Sequence, residues 1–176
     1  INGDYRRYRD GVLRESGIYA KGKRNSTFTE YYQDGVTPRK ETPMQQGKID
    51  GTVKTYFRNG KIEAEKEYKQ SVESGRERRF DSKTGEQIFE SHYIDGKKDG
   101  EEWEIFEDAS TLRSRIIRHY RNGKLDGSYR VESTRDGKPY ITIEGQYTDG
   151  EKSGQWIEHN YDNNTQTCTW HGEGGA

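Results

Sequence analysis

The stretch Tyr120-Arg121-Asn122-Gly123-Lys124-Leu125-Asp126-Gly127 constrains this chain more than any other, because it keeps returning. Tyr147-Thr148-Asp149-Gly150 leads to Gly154, and Tyr93-Ile94-Asp95-Gly96-Lys97 leads to Gly100. Tyr68-Lys69-Gln70-Ser71 leads to Gly75, Met44-Gln45-Gln46-Gly47-Lys48 to Gly51, and Tyr19-Ala20-Lys21-Gly22-Lys23 to Ser26. Asn-Gly is suited to a two-residue type I′ hairpin turn, whose central residues both need positive φ. From turn to restart the step is four residues every time. The restarts are Gly3, Ser26, Gly51, Gly75, Gly100, Gly127 and Gly154, with steps of 23, 25, 24, 25, 27 and 27. Self-similarity at such a period predicts an array of one supersecondary unit.

Each repeat carries a second turn about ten residues in: Asp10-Gly11, Asp34-Gly35, Asn59-Gly60, Thr84-Gly85 and Asp136-Gly137. Asp108-Ala109-Ser110 and Asn163-Asn164 take that place in the fifth and seventh repeats. The flanking runs alternate large and polar residues, as in Thr52-Val53-Lys54-Thr55-Tyr56-Phe57. No apolar stripe at helical spacing is sustained. The expected fold is therefore all-β: an elongated, single-layer antiparallel meander of about seven hairpins, about fourteen strands, in one repeat domain over residues 1–176. Two irregularities stand out. Pro38 and Pro43 are expected to interrupt or bulge the second repeat, since proline cannot donate to a ladder. In the fifth repeat Trp103 and Phe106 sit one place later than the large residues elsewhere, and Ser110–Ile117 is long enough for a bulge.

Composition fits a thin structure. Hydrophobic residues are 27% and charged residues 35%, and tyrosine is the dominant large side chain, with 13 copies. A tyrosine can bury its ring face and keep its hydroxyl wet. The lone Cys168 excludes an intramolecular disulfide, and no apolar run is long enough for a membrane-spanning helix. Ile1-Asn2-Gly3 looks like the tail of the repeated phrase, so the natural chain is expected to begin earlier. Charge is graded: residues 1–24 hold seven Lys/Arg against three Asp/Glu, and residues 144–176 one Lys against six Asp/Glu.

Catalytic chemistry finds little support. His92 and His119 precede the closing tyrosines of successive hairpins, two strands or roughly 9.6 Å apart, too far for a shared metal without inward-reaching side chains. Cys168 and His171, three apart, point to opposite strand faces, and His159 and Asp162 precede them. The thiol is expected to be partly buried. The carboxylates Glu101, Glu102, Glu104, Glu107 and Asp108 read as an exposed charged run. The arginine clusters Arg6-Arg7-Arg9, Arg76-Arg78-Arg79 and Arg113-Arg115-Arg118-Arg121 could meet nucleic acid, but a net charge of −1 argues against that partner. No metal, cofactor or catalytic residue is expected.

The phrase Tyr-x-Asn/Asp-Gly-Lys-x-x-Gly, followed by an aromatic run and a second Asn/Asp-Gly, resembles the MORN repeat (membrane occupation and recognition nexus). The nearest likeness is to the bacterial variant, seen in Tyr56-Phe57-Arg58-Asn59-Gly60-Lys61, in Tyr120 to Tyr129 and in Tyr147 to Trp156. The resemblance implies a non-catalytic binding array. In bacterial proteins of this look it implies an immunity protein or antitoxin that neutralises a cognate toxin by direct binding, in the cytoplasm or the cell envelope. The alternative is an envelope scaffold anchored through a segment before Ile1. The expected partner contacts are Glu102, Trp103, Glu104 and Phe106, in the repeat that departs from the pattern, followed by Arg78 and Arg79.

Overall fold

The computed structural model describes residues 2–107, 113–135, 137–160 and 164–172. The protein is all-β, an antiparallel meander without helix among the described residues. Asp136, Asn163 and the Asp108-Ala109-Ser110 turn lie outside the described residues. Two compact lobes divide the chain. The first comprises Ile1–Gln87 with Tyr93–Gly96, and the second Ile88–His92 with Lys97–Ala176.

In the first lobe the strands are β1 (Gly3–Arg9), β2 (Val12–Ala20), β3 (Lys23–Arg24), β4 (Thr27–Tyr31), β5 (Pro38–Gln45), β6 (Lys48–Ile49), β7 (Gly51–Tyr56), β8 (Ile62–Lys69) and β9 (Val72–Phe80). Pairing runs β1–β2, β2–β4, β4–β5, β5–β7, β7–β8 and β8–β9. The chain continues through β10 (Gln87–Ile94), β11 (Lys97–Lys98), β12 (Gly100–Glu107), β13 (Arg113–Arg121), β14 (Lys124–Arg135), β15 (Lys138–Thr148), β16 (Glu151–Asn160) and β17 (Thr165–His171). In the second lobe pairing runs β10–β12 and then through each successive neighbour to β17. The two-residue strands β3, β6 and β11 are the opening steps of β4, β7 and β12, so the fourteen expected strands are the long ones.

The repeated phrase owes its form to its turns. Asn122 and Gly123 have φ of 50° and 85°, as a type I′ turn demands, with Arg121 and Lys124 paired across it. Gln70 and Ser71 adopt the same turn at φ 51° and 71° without any glycine. Ser71 is held by a backbone bond from its N–H to the Ile49 carbonyl, and its hydroxyl accepts the Ile49 N–H. The Asn/Asp before the restart has its own task. The Asn25 side chain accepts the N–H of Gln46, and that of Asp99 accepts the N–H of Asn122, both at 3.0 Å. Each thereby ties the opening residue of the next hairpin turn to the repeat before it, satisfying backbone donors that a bare turn would leave to water.

Of the expected irregularities, the bulge at Pro38 is present, whereas those at Pro43 and in the described part of Ser110–Ile117 are corrected. Pro43 does not interrupt its strand: it sits in β5 opposite Thr27, and its carbonyl accepts the Asp50 N–H. The register shift near Pro38, between Glu30 and Tyr31, has counterparts at Arg7/Tyr8 and Thr55/Tyr56, where the strands carry no proline. It belongs to the repeat. In the fifth repeat β12 and β13 pair without a shift from Gly100–Tyr120 to Glu107–Arg113. The described part of Ser110–Ile117 therefore pairs regularly with β12, and the shift comes instead between β13 and β14, at Arg118/Tyr120.

Besides Phe89, Ile117 and Val131, which are buried elsewhere on the strands, the interior draws on a row of side chains two residues after each restart. In the first lobe these are Tyr5, Phe28, Val53 and Glu77, and in the second Glu102, Tyr129 and Trp156. Phe28, Val53, Glu77, Glu102 and Trp156 are buried. Eleven residues before each member of the row, from Phe28 onward, stand Gly17, Thr42, Lys66, Ser91, Arg118 and Gly145. This spacing delivers the filler of the gap. A Cβ on Gly17 would lie 2.7 Å from the Phe28 ring, and one on Gly145 2.3 Å from Trp156, so at these two places the aromatic ring occupies the glycine's missing side chain. Tyr5, Tyr19 and Phe28 close around one such ring with centroids 5.4–5.9 Å apart, and Tyr129, Tyr147 and Trp156 around the other at 5.2–5.7 Å.

Candidate functional site

Strand alternation decides where the expected contact residues go. Glu102, Glu104 and Phe106 share one face of β12, whereas Trp103 is on the other. The contiguous run in sequence is thus split between two surfaces.

Glu102 is not displayed at all. It is 1% exposed, and its carboxylate is gripped by the Lys98 ammonium and, at 2.7 Å, by Arg118 Nε. Burial pushes this carboxyl up, but Lys98 and Arg118 together outweigh burial and hold it below its ordinary value. The expectation that Glu102 contacts a partner gives way to an interior role, because it fills the slot that an aromatic fills elsewhere. Glu104 is half exposed and takes the second arm of the fork, with Arg118 Nη2 2.8 Å from its carboxylate. The expected exposed carboxylate run is therefore partly interior. Trp103 is half-buried beneath the Arg115 guanidinium, 4.5 Å from the ring centroid. Phe106 is exposed near the end of β12.

Glu77 builds a matching cluster in the first lobe. Arg79 approaches it at 2.8 Å and Lys66 at 3.1 Å, and the Tyr93 hydroxyl donates to it at 3.0 Å. Burial raises the Glu77 carboxyl, and Arg79 and Lys66 pull it down past its ordinary value. Tyr93 is pushed up to about 12 by burial and by the neighbouring Glu77 charge. Arg79 is an exposed arginine serving a buried carboxylate. Arg78, on the opposite face, pairs with Glu65 at 2.8 Å.

The displayed features lie elsewhere. In the first lobe a concavity of about 520 Å³ is lined by Tyr8, Leu13, Ile18 and Tyr31, with Asp4 and Arg6 among its polar members. Tyr8 is 55% and Ile18 46% exposed. A second, of about 610 Å³, gathers arginines near the Asp10-Gly11 turn. In the second lobe a groove of about 480 Å³ runs past His119, Tyr129 and Glu144. The first two draw on residues distant in sequence, and only the Arg6-Arg7-Arg9 cluster advertised either of them.

His92 Nδ1 lies 3.1 Å from the Glu101 carbonyl, and His119 Nε2 3.7 Å from the Glu101 carboxylate. The described residues contain no group of three or more His, Cys, Asp or Glu placed to hold a metal ion. Cys168 is exposed, not partly buried as expected, because β17 is exposed throughout from Thr165 to Trp170. Asp162 lies outside the described residues. No helix is long and apolar enough to cross a membrane among the described residues.

These features define a β-hairpin repeat protein. No protein-family model matches the chain, and no curated protein matches it.

Proposed function

We propose that this chain is a non-catalytic protein-binding repeat module, most concretely a bacterial immunity protein or antitoxin that neutralises a cognate toxin by direct binding. The observation that supports the reading is the concavity of Tyr8, Leu13, Ile18 and Tyr31. Tyr8 and Ile18 stay exposed there, whereas Tyr5 and Tyr19 of the same strands pack against the buried Phe28 ring. Tyrosines beside aliphatic side chains such as Leu13 and Ile18 are typical anchors of protein interfaces, since they desolvate a large area at little entropic cost. A paired, bulge-locked ladder presents them without a folding step on binding, which keeps the cost of association low. Of the six contacts expected from sequence, Arg79, Glu104 and Phe106 present the most surface and extend this reading beyond the concavity.

Retrieval of partners from the native lysate by the purified protein tests the proposal. The expected result is one stoichiometric protein, toxic when expressed alone and harmless when co-expressed, that is lost with the double variant Tyr8→Ala/Ile18→Asp. Recovery of membranes, of many envelope proteins or of nothing overturns it in favour of a scaffold.

A further inference from the structure

The larger concavity of the first lobe is unusual in its charge. Arg7, Arg9, Arg14, Arg39 and Arg58 line it, against only two carboxylates, Asp10 and Glu30. They arrive from different strands and loops, brought together at the end of the lobe where the Asp10-Gly11 turn lies. Some are partly compensated. Arg39 pairs with Glu30, Arg7 with the buried Glu15 at 3.3 Å, and Arg9 lies 3.9 Å from Asp10. Arg58 rests over the Tyr32 ring, 5.6 Å from its centroid.

Arg14 is the informative one. Its Nη1 donates to the Tyr32 carbonyl at 3.3 Å, and its Nε is buried and meets no hydrogen-bond acceptor among the described residues. Arg118 and Lys66, half-buried like Arg14, instead face carboxylates, Glu102 for Arg118 and Glu73 with Glu77 for Lys66. Arg115 also has an unpaired Nε, but its charge is spread over the Trp103 ring. A guanidinium held half out of water at a carbonyl, among four others, presents charge that the fold does not neutralise. Arginine forks match carboxylate geometry in a bidentate way, and convergence in a concavity focuses the field on one spot.

We propose that this arginine concavity docks a carboxylate-rich segment of a protein partner. The proposal rests on the protein-binding reading and names the chemistry of one contact. Nucleic acid fits less well. Its backbone needs a continuous basic stripe, whereas Asp10 and Glu30 interrupt this one and the whole chain carries a net charge of −1.

Fluorescence anisotropy of a labelled octa-glutamate peptide, with octa-glutamine and a labelled single-stranded oligonucleotide as comparisons, decides the matter. The expected result is saturable binding of octa-glutamate that weakens steeply with salt, with at least tenfold weaker binding by Arg14→Gln. The surface variant Arg9→Gln/Arg39→Gln removes two exposed charges without disturbing the interior and is expected to weaken binding by a similar factor. Arg121→Gln, at an exposed arginine outside the concavity, is expected to change it less than twofold. Absence of saturable binding, equal weakening by Arg121→Gln, or tighter binding of the oligonucleotide overturns the proposal. The two readings separate cleanly: if Arg9→Gln/Arg39→Gln still retrieves the stoichiometric partner at full yield, the acidic-segment inference fails and the protein-binding module stands.

Discussion

Trp156 in β16 and Glu102 in β12 occupy the same place in their repeats, two residues after the restart glycine, and both are buried, at 5% and 1% exposure. Trp156 fills the space left by Gly145, lies among Tyr129, Tyr147 and His171, and donates its indole N–H to the Gln146 carbonyl at 3.1 Å. Glu102 has Ser91 in place of that glycine and fills the slot with charge, drawing Lys98 and Arg118 over it. One backbone thus tolerates two kinds of interior. The aromatic version gains from removing apolar surface from water. The ionic version must repay desolvation of the carboxylate through two cationic hydrogen bonds, which makes it sensitive to protonation and weak as net stabilisation. The first lobe holds the same contrast between Phe28 over Gly17 and Glu77 beside Lys66.

The largest effect is expected at the aromatic site. Trp156→Ala should cost about 3–5 kcal/mol, the range for truncating a buried large aromatic, read as a fall in the urea midpoint. Its loss should be nearly the same at pH 7 and pH 4, because no titrating group is removed. A comparable cost at low pH only would erase the distinction between the two interiors.

Glu102→Ala comes next, at about 3 kcal/mol, since it strands the half-buried Lys98 ammonium without its anion and leaves Arg118 with Glu104 alone. The sign of the pH dependence follows from the lowered carboxyl. A folded-state pKa below the ordinary 4.5 means that the stabilisation is fully present above that value and is lost as pH falls through the folded-state pKa. Glu77 acts in the same direction. Stability measured from pH 7 down to pH 3 should therefore fall in the wild type and fall less steeply in Glu102→Gln. An unchanged slope in Glu102→Gln would show that the buried carboxylate is not what makes the protein acid-labile.

The smallest and sharpest test is Gly145→Ala. Its φ lies outside the left-handed region, so the only penalty is the clash with Trp156, about 1–3 kcal/mol as an overpacked contact. In the Trp156→Ala background that penalty should fall to near zero, a coupling that a double-mutant cycle measures directly. Additive losses would mean that the ring does not occupy the glycine's space.

Much of the fold was legible because it is written in local chemistry. Asn122-Gly123 can hardly be anything but a tight hairpin turn, and five further copies of its surroundings leave a meander as the economical solution. The candidate site was less legible. Glu102 read as one more surface charge in a run of five carboxylates, when the spacing of two from Gly100, shared with Phe28 and Trp156, was the signal that it points inward. The glycine eleven residues before each of these two rings is a sequence signal of the same kind, and it marks Gly17 and Gly145. Arg14 and Arg58 carried no such mark: they join Arg7 and Arg39 only when β1, β2, β5 and the Asn59-Gly60 turn come together.

The sequence by itself determined the repeat, the turn types and the alternation of faces, because each depends on φ preferences and side-chain order within a few residues. Tertiary structure alone decided which carboxylates went inside, which cations were drawn in to neutralise them, and which arginines were left facing a common hollow. Those outcomes depend on burial and on charges brought close from tens of residues away, and Coulomb energies at a few ångströms in a partly dry interior are set by that proximity and not by order along the chain.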